Sequence, residues 1–257
     1  MSPEKRHEEQ PYCDGTHHQR WVDGFLFASR CNCSGKGPAV DAALALDRRF
    51  GNREDGARFD FDHFQPHNQS LTEALQKIRW IASTWSLGAV LWGDTGSGKT
   101  HLARALCYEA AAQRKRADIV SSPSLQKWFR DSQGYEDIAL DARAILDKLK
   151  ATSLLVIDDL GTERKGAEAP SDIWLREFKE FLDSFRGVLI VTMNLNPKGN
   201  LSDIVGENSK SRISELCGAV HLDAPDYRGH RAKQNAAALA DQARKPNIAQ
   251  EGKAHVP

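Results

Sequence analysis

From about residue 88 the chain alternates between two kinds of stretch. Short, largely apolar runs are separated by longer segments in which apolar residues return every three or four positions. The short runs are "GAVLW", "ADIV", "LLVI", "VLIVTM" and "GAVHL". Runs this short with no polar alternation predict strands buried on both faces, as in a parallel sheet. The longer segments predict helices: "GKTHLARALCYEAAAQRKR", "PSLQKWFRD", "DIALDARAILDKLK", "PSDIWLREFKEFLDSFR" and "ENSKSRISELC". A further helix is predicted before the first strand, from "SLTEALQKIRWIASTW", with Ser70 as its cap and Glu73 completing a capping box. Strand–helix alternation of this kind predicts an α/β fold with a parallel sheet covered by helices on both faces.

The ends of the chain lack this pattern. Residues 1–37 are polar and carry cysteine and histidine, and "CSGKGP" closes them like a linker. Residues 38–58 read as a linker with a short helix in "AVDAALALDRRF", followed by the extended "FDFDHFQPHN". Residues 59–228 form the patterned domain. Residues 229–257 are rich in Ala, Gln and Lys without a core pattern and read as a tail.

Charge and length change the picture little. The 257 residues have a formal net charge of +0, so any nucleic-acid surface must be a local patch. Candidates are Arg114–Lys115–Arg116 and the pair Lys127 and Arg130 flanking Trp128 and Phe129, although a solvated helix end and core aromatics explain both more simply. No apolar run approaches the roughly 18 residues that span a bilayer. "MSPEKRHEEQ" lacks the apolar stretch of a signal peptide, which points to the cytosol and reduced thiols. Cys107 and Cys217, in apolar surroundings, then read as packing residues.

Candidate chemistry concentrates at three places. "GDTGSGKT" contains Gly93, Asp94, Thr95, Gly96, Ser97, Gly98, Lys99 and Thr100, which with the following His101 are the candidate nucleotide-binding residues. It fits G-x-x-x-x-G-K-[ST] between an apolar strand and a helix, the context a phosphate-binding P-loop requires. The glycines free backbone N–H groups to surround phosphates, Lys99 reaches the β- and γ-phosphates, and Thr100 holds Mg²⁺. This implies ATP and Mg²⁺ as cofactors. "LLVIDDLG" sets Asp158 at the carboxyl end of a buried strand, suited to Mg²⁺, with Asp159 next to it as the group that polarises an attacking water. Asn194, after "VTM", is either a turn residue or a group that orients that water. Arg212 and Arg228 carry no role from spacing alone.

The third place is the N-terminus. Cys13, His17, Cys31 and Cys33 make a four-ligand set suited to tetrahedral Zn²⁺, with His18 as an alternative to His17; an unliganded polar segment is the other reading.

Taken in order, "FDHF", "LWGDTGSGKTHLARAL", "LLVIDDLG", "VTMNL", "SRISELC" and "DYR" resemble the DnaC/DnaI-type helicase loaders and their relatives, the IstB-like transposition ATPases, both AAA+ ATPases. The resemblance covers roughly residues 59–228. It implies a sensor role for Asn194, an arginine finger at Arg212 acting in trans on a neighbouring subunit, and a second sensor arginine at Arg228. It also implies a homo-oligomer, with single-stranded DNA and a replicative helicase as partners. Asp159 is shorter than the glutamate common at its position but occurs in this subfamily, so hydrolysis is expected, with slow turnover or a nucleotide-gated adaptor as further readings. Met193 stands where serine is more usual. "CDGTHHQRWVDG … CNC" resembles the zinc module that begins several of these loaders, with the second cysteine missing, and favours the loader. The alternative implied is a transposition helper acting with a transposase on duplex DNA.

Overall fold

The structure, a computed structural model, describes residues 59–162, 170–194 and 196–227, the single positions Gly229 and Ala236, and two short strands near the N-terminus. Those strands are β1 (Gln19–Val22) and β2 (Phe25–Ala28). They pair antiparallel with Val22 opposite Phe25. The candidate zinc ligands Cys13, His17, Cys31 and Cys33, the alternative His18, the predicted helix at 39–50, Arg228 and most of the tail lie outside the described residues.

Helix α1 (Gln69–Thr84) leads into β3 (Gly88–Trp92) and α2 (Lys99–Ala112). Then follow β4 (Ala117–Ser121), α3 (Ser122–Asp131), α4 (Glu136–Lys150) and β5 (Leu154–Asp158). The chain continues through α5 (Asp172–Ser184), β6 (Val188–Met193), α6 (Pro197–Leu216) and β7 (Cys217–His221). The five strands β3–β7 form one sheet in the order β4-β5-β6-β3-β7, every pairing parallel.

The central strands β3, β5 and β6 are almost wholly apolar because alternate residues serve two cores. Val90, Leu155, Ile157, Leu189 and Val191 pack with α3–α6, around Phe129, Trp174, Phe178 and Phe181. Ala89, Leu91, Leu154, Val156 and Ile190 pack with α1 and α2, around Ile78, Leu102 and Leu106. Each fully buried Leu or Ile side chain contributes about 1.5–3 kcal/mol relative to exposure, so neither face tolerates a polar run. Cys107 and Cys217 are buried thiols, and burial pushes the Cys217 thiol well above its ordinary range, as expected of packing residues. Trp128 and Phe129 are also buried, so they are core aromatics and not a stacking surface for single strands.

Two local expectations are corrected. The cap of α1 is Asn68, whose side chain accepts from the Leu71 N–H at 2.9 Å. Ser70 lies inside the helix, where its hydroxyl donates to the His221 carbonyl and accepts from the Asp223 N–H, stitching α1 to the chain after β7. Helix α6 starts at Pro197, well before the predicted "ENSKSRISELC", and bends at Gly206, whose φ of 76° is non-helical. Among the described residues no helix is long and apolar enough to cross a membrane.

Candidate functional site

Strand β3 lies between β6 and β7, and the chain leaves its carboxyl end through residues 93–98 into α2. Ligands of open α/β sheets bind at such carboxyl ends. Three glycines make this loop's path, with φ of 149° at Gly93, 78° at Gly96 and 100° at Gly98. Space as well as backbone angle excludes a side chain: a Cβ on Gly98 would lie 2.8 Å from the Phe64 ring, and one on Gly96 would overlap the Asp226 carboxylate.

Lys99 is buried at the start of α2, and its Nζ donates to the carbonyls of Gly93 (2.9 Å) and Asp94 (2.7 Å). The ammonium is thus held inside the loop, and the N-terminus of α2 adds its dipole at the same place. Thr100 Oγ1 donates to Asp158 Oδ1 at 3.0 Å, joining two motifs that are 58 residues apart. A carboxylate and a hydroxyl are hard oxygen donors, the kind Mg²⁺ takes from protein while phosphates and water complete its shell. Thr100 and Asp158 therefore fit that ion. Among the described residues no group of three or more His, Cys, Asp or Glu side chains is placed to hold a metal by itself.

Asp159 follows with a left-handed backbone, φ 58°, and an exposed side chain. Asn194 is exposed just beyond β6, the strand between β5, which carries Asp158, and β3, which leads into the loop. Both therefore stand at the rim of the same crevice.

His101 departs from its expected place. Its Nε2 meets the Asp60 carbonyl at 2.9 Å, and its ring lies edge-on to Phe59 and Phe64, each with centroids 5.2 Å away. The side chain thus anchors the segment before α1 and does not line the phosphate loop. Burial lowers the His101 pKa below its ordinary value, an effect the Asp60 carbonyl opposes, which keeps the ring neutral at pH 7. Arg212, in the last turns of α6, holds Glu215 at 2.6 Å. Among the described contacts none joins it to its own phosphate loop.

Three neighbours escaped the sequence reading. Thr192, fully buried in β6, donates to Asp158 Oδ1 at 2.6 Å. Arg104, one turn beyond Thr100, stacks its guanidinium 4.8 Å over the Phe59 ring. Burial lowers its pKa and the Asp158 charge opposes this, so a guanidinium cation stands near the carboxylate. The spacing Thr100-x₃-Arg104 was the available signal, since it places both on one helix face. The third is the segment after β7: Leu222 N–H bonds to the Trp92 carbonyl, and Tyr227 N–H to the Gly96 carbonyl, clasping the loop from outside. A cavity of about 550 Å³ lined by Lys115, Lys150 and Arg186 lies at the amino-terminal ends of the strands, opposite this site and separate from it.

The sequence profile of one family, described as "IstB-like ATP binding protein", matches residues 45–179, 135 of the 257 residues. The chain belongs to the IstB-like ATP binding proteins. Within that family's range lie the whole phosphate loop and both acids of the Asp158–Asp159 pair. The replicative helicase loader DnaC of Escherichia coli (strain K12) is 24% identical over 127 residues, covering 47% of this chain and 51% of that protein. An insertion sequence IS21-like putative ATP-binding protein of Bacteroides fragilis (strain YCH46) is 28% identical over 102 residues, covering 40% and 48%. The chain thus spans about half the length of the curated relatives it matches. The crystal structure of the DnaC helicase loader superposes with a TM-score of 0.54 at 22% identity, over 63% of this chain and 96% of that one. The fold is accordingly the AAA+ P-loop ATPase fold, with its five-stranded parallel sheet.

Proposed function

We propose that this IstB-like protein is an ATPase of DNA replication that helps place a replicative helicase on single-stranded DNA. The observation that carries the nucleotide part is the Thr100–Asp158 hydrogen bond, which unites the phosphate loop with the acidic strand end in one crevice. In this reading Lys99 exchanges its loop carbonyls for the β- and γ-phosphates, and the loop N–H groups hold the remaining phosphate oxygens. Mg²⁺, held by Thr100 and Asp158, supplies charge neutralisation at the phosphates when bound. Asp159 accepts the proton of the attacking water, and Asn194 orients that water. Arg212 acts on the nucleotide of a second copy of the chain, and the nucleotide state controls the oligomer.

The loader reading is supported by the similarity to DnaC. The similarity to the IS21-like protein supports a second reading, a transposition helper acting on duplex DNA. One set of experiments separates them. Calorimetry should give ATP binding to the full chain and an affinity lower by roughly a hundredfold for Lys99→Ala, because a charge-assisted phosphate contact is lost. Normal affinity in that variant would refute the phosphate-loop role. In gel shifts with ATP, preference for single strands together with recovery of a replicative helicase in pull-down supports the loader; duplex preference without helicase recovery supports the transposition helper.

A further inference from the structure

Thr192 sits in a run of apolar side chains, completely buried, yet its hydroxyl has two hydrogen bonds and both end at the candidate site. It donates to Asp158 Oδ1 at 2.6 Å and accepts the Asp159 N–H at 2.8 Å. Its carbonyl accepts the next N–H, that of Leu160, at 2.8 Å. The β5–β6 ladder runs regularly up to Ile157 opposite Val191. One residue further Thr192 takes over with its side chain and carbonyl, and the chain turns away at Asp159. That turn places Asp159 in the left-handed region, which an aspartate enters at a cost. Thr162 holds the other side, with its N–H (3.2 Å) and Oγ1 (2.8 Å) both directed at the Asp159 carbonyl.

Oδ1 of Asp158 receives two hydroxyl donors, Thr100 at 3.0 Å and Thr192 at 2.6 Å. Two donors on one oxygen fix the rotation of the carboxylate. One residue thereby sets the orientation of the first acid and the backbone of the second.

We infer that Thr192 is the positioning residue of this site: from the neighbouring strand its hydroxyl orients Asp158 toward the metal-binding side of the crevice and holds Asp159 in the backbone conformation that aims its carboxylate. This rests on the ATPase reading above. Valine at 192 keeps the shape and removes the hydroxyl, leaving the Asp159 N–H without its acceptor; serine keeps the hydroxyl.

The test compares wild type, Thr192→Val and Thr192→Ser as full-length chains, by two measurements. The first is ATP turnover. Thr192→Val should lower kcat by about tenfold or more with KM changed less than about threefold, and Thr192→Ser should restore kcat to within about threefold of wild type. The second is ATP affinity by calorimetry with and without Mg²⁺. The gain in affinity from Mg²⁺ should shrink in Thr192→Val and return in Thr192→Ser, while metal-free affinity stays constant. Unchanged kcat and unchanged Mg²⁺ gain in Thr192→Val would overturn the inference. So would losses that serine does not rescue, or that match a fall in metal-free affinity, since those report general structural damage. If wild type binds ATP but does not turn it over, the hydrolysis reading fails, and the Mg²⁺ gain alone decides for or against Thr192.

Discussion

At Gly96 two constraints coincide: a φ of 78°, and the Asp226 carboxylate in the space a Cβ would fill. Neither is visible in the motif, which asks for glycine only at its first and sixth positions, here Gly93 and Gly98. The restraint comes from the far end of the sequence, where the chain after β7 returns to bond Tyr227 N–H to the Gly96 carbonyl. Gly96→Ala should therefore push that segment off the loop and distort the phosphate cradle. We expect ATP affinity to fall by about tenfold or more, with a loss of stability on the order of 1 kcal/mol, the usual scale for a strained left-handed position. Calorimetry and chemical denaturation measure the two effects, and unchanged affinity would mean that the clasp yields without disturbing the loop. Thr192 makes the complementary point about single residues. A lone hydroxyl in "VLIVTM" does not declare its partner; the strand register alone places it opposite Asp158.

At the level of elements, the segment before α1 docks on α2 through His101, held between Phe59 and Phe64 and bonded to the Asp60 carbonyl. Burial depresses the His101 pKa, so the folded state resists a proton that the unfolded chain accepts near its ordinary value of about 6.5. The unfolded state then binds more protons in this window, and stability must fall as pH drops from about 6.5 toward the depressed folded value. Denaturation midpoints between pH 7.5 and 5.5 should fall more steeply for wild type than for His101→Gln; parallel slopes would remove His101 from this role. The five strands were legible as short, largely apolar runs, and most helices as three-to-four periodicity. The first half of α6 was not, because Pro197, Gly199, Asn200 and Gly206 resemble a loop. Tertiary contacts override that local signal: Leu201, Ile204 and Val205 are buried, and Trp174 Nε1 donates to the Ile204 carbonyl at 2.9 Å. The cap of α1 was displaced for a similar reason. Ser70 is occupied by bonds to His221 and Asp223, residues some 150 positions away, and no local pattern encodes them.

Across the whole molecule, the phosphate loop and Arg212 belong to different parts of the surface. Gly88, the first residue of β3, pairs with Cys217, which directly follows α6, whereas the loop begins beyond the other end of β3. The Arg212 guanidinium is drawn toward Glu215, one turn nearer that starting edge, and its charge is felt by Asp183 in the last turn of α5. That placement fits the proposed action of Arg212 on a nucleotide held by another copy of the chain. Such an in-trans arrangement is heterologous: each copy offers a loop to one neighbour and an arginine to the other. Complementation tests it directly. Lys99→Ala lacks a working loop but keeps Arg212; Arg212→Ala keeps the loop but lacks the arginine. Each should turn over ATP about tenfold or more slowly than wild type, and an equal mixture should exceed the sum of the two, because mixed interfaces reunite one intact loop with one intact arginine. Arg212→Ala should change stability by about 1 kcal/mol, since the Glu215 end of its ion pair is exposed. Activity that stays additive at concentrations where wild type self-associates would place the catalytic cation within the same chain. Arg104, beside Asp158, would then be the residue to substitute next.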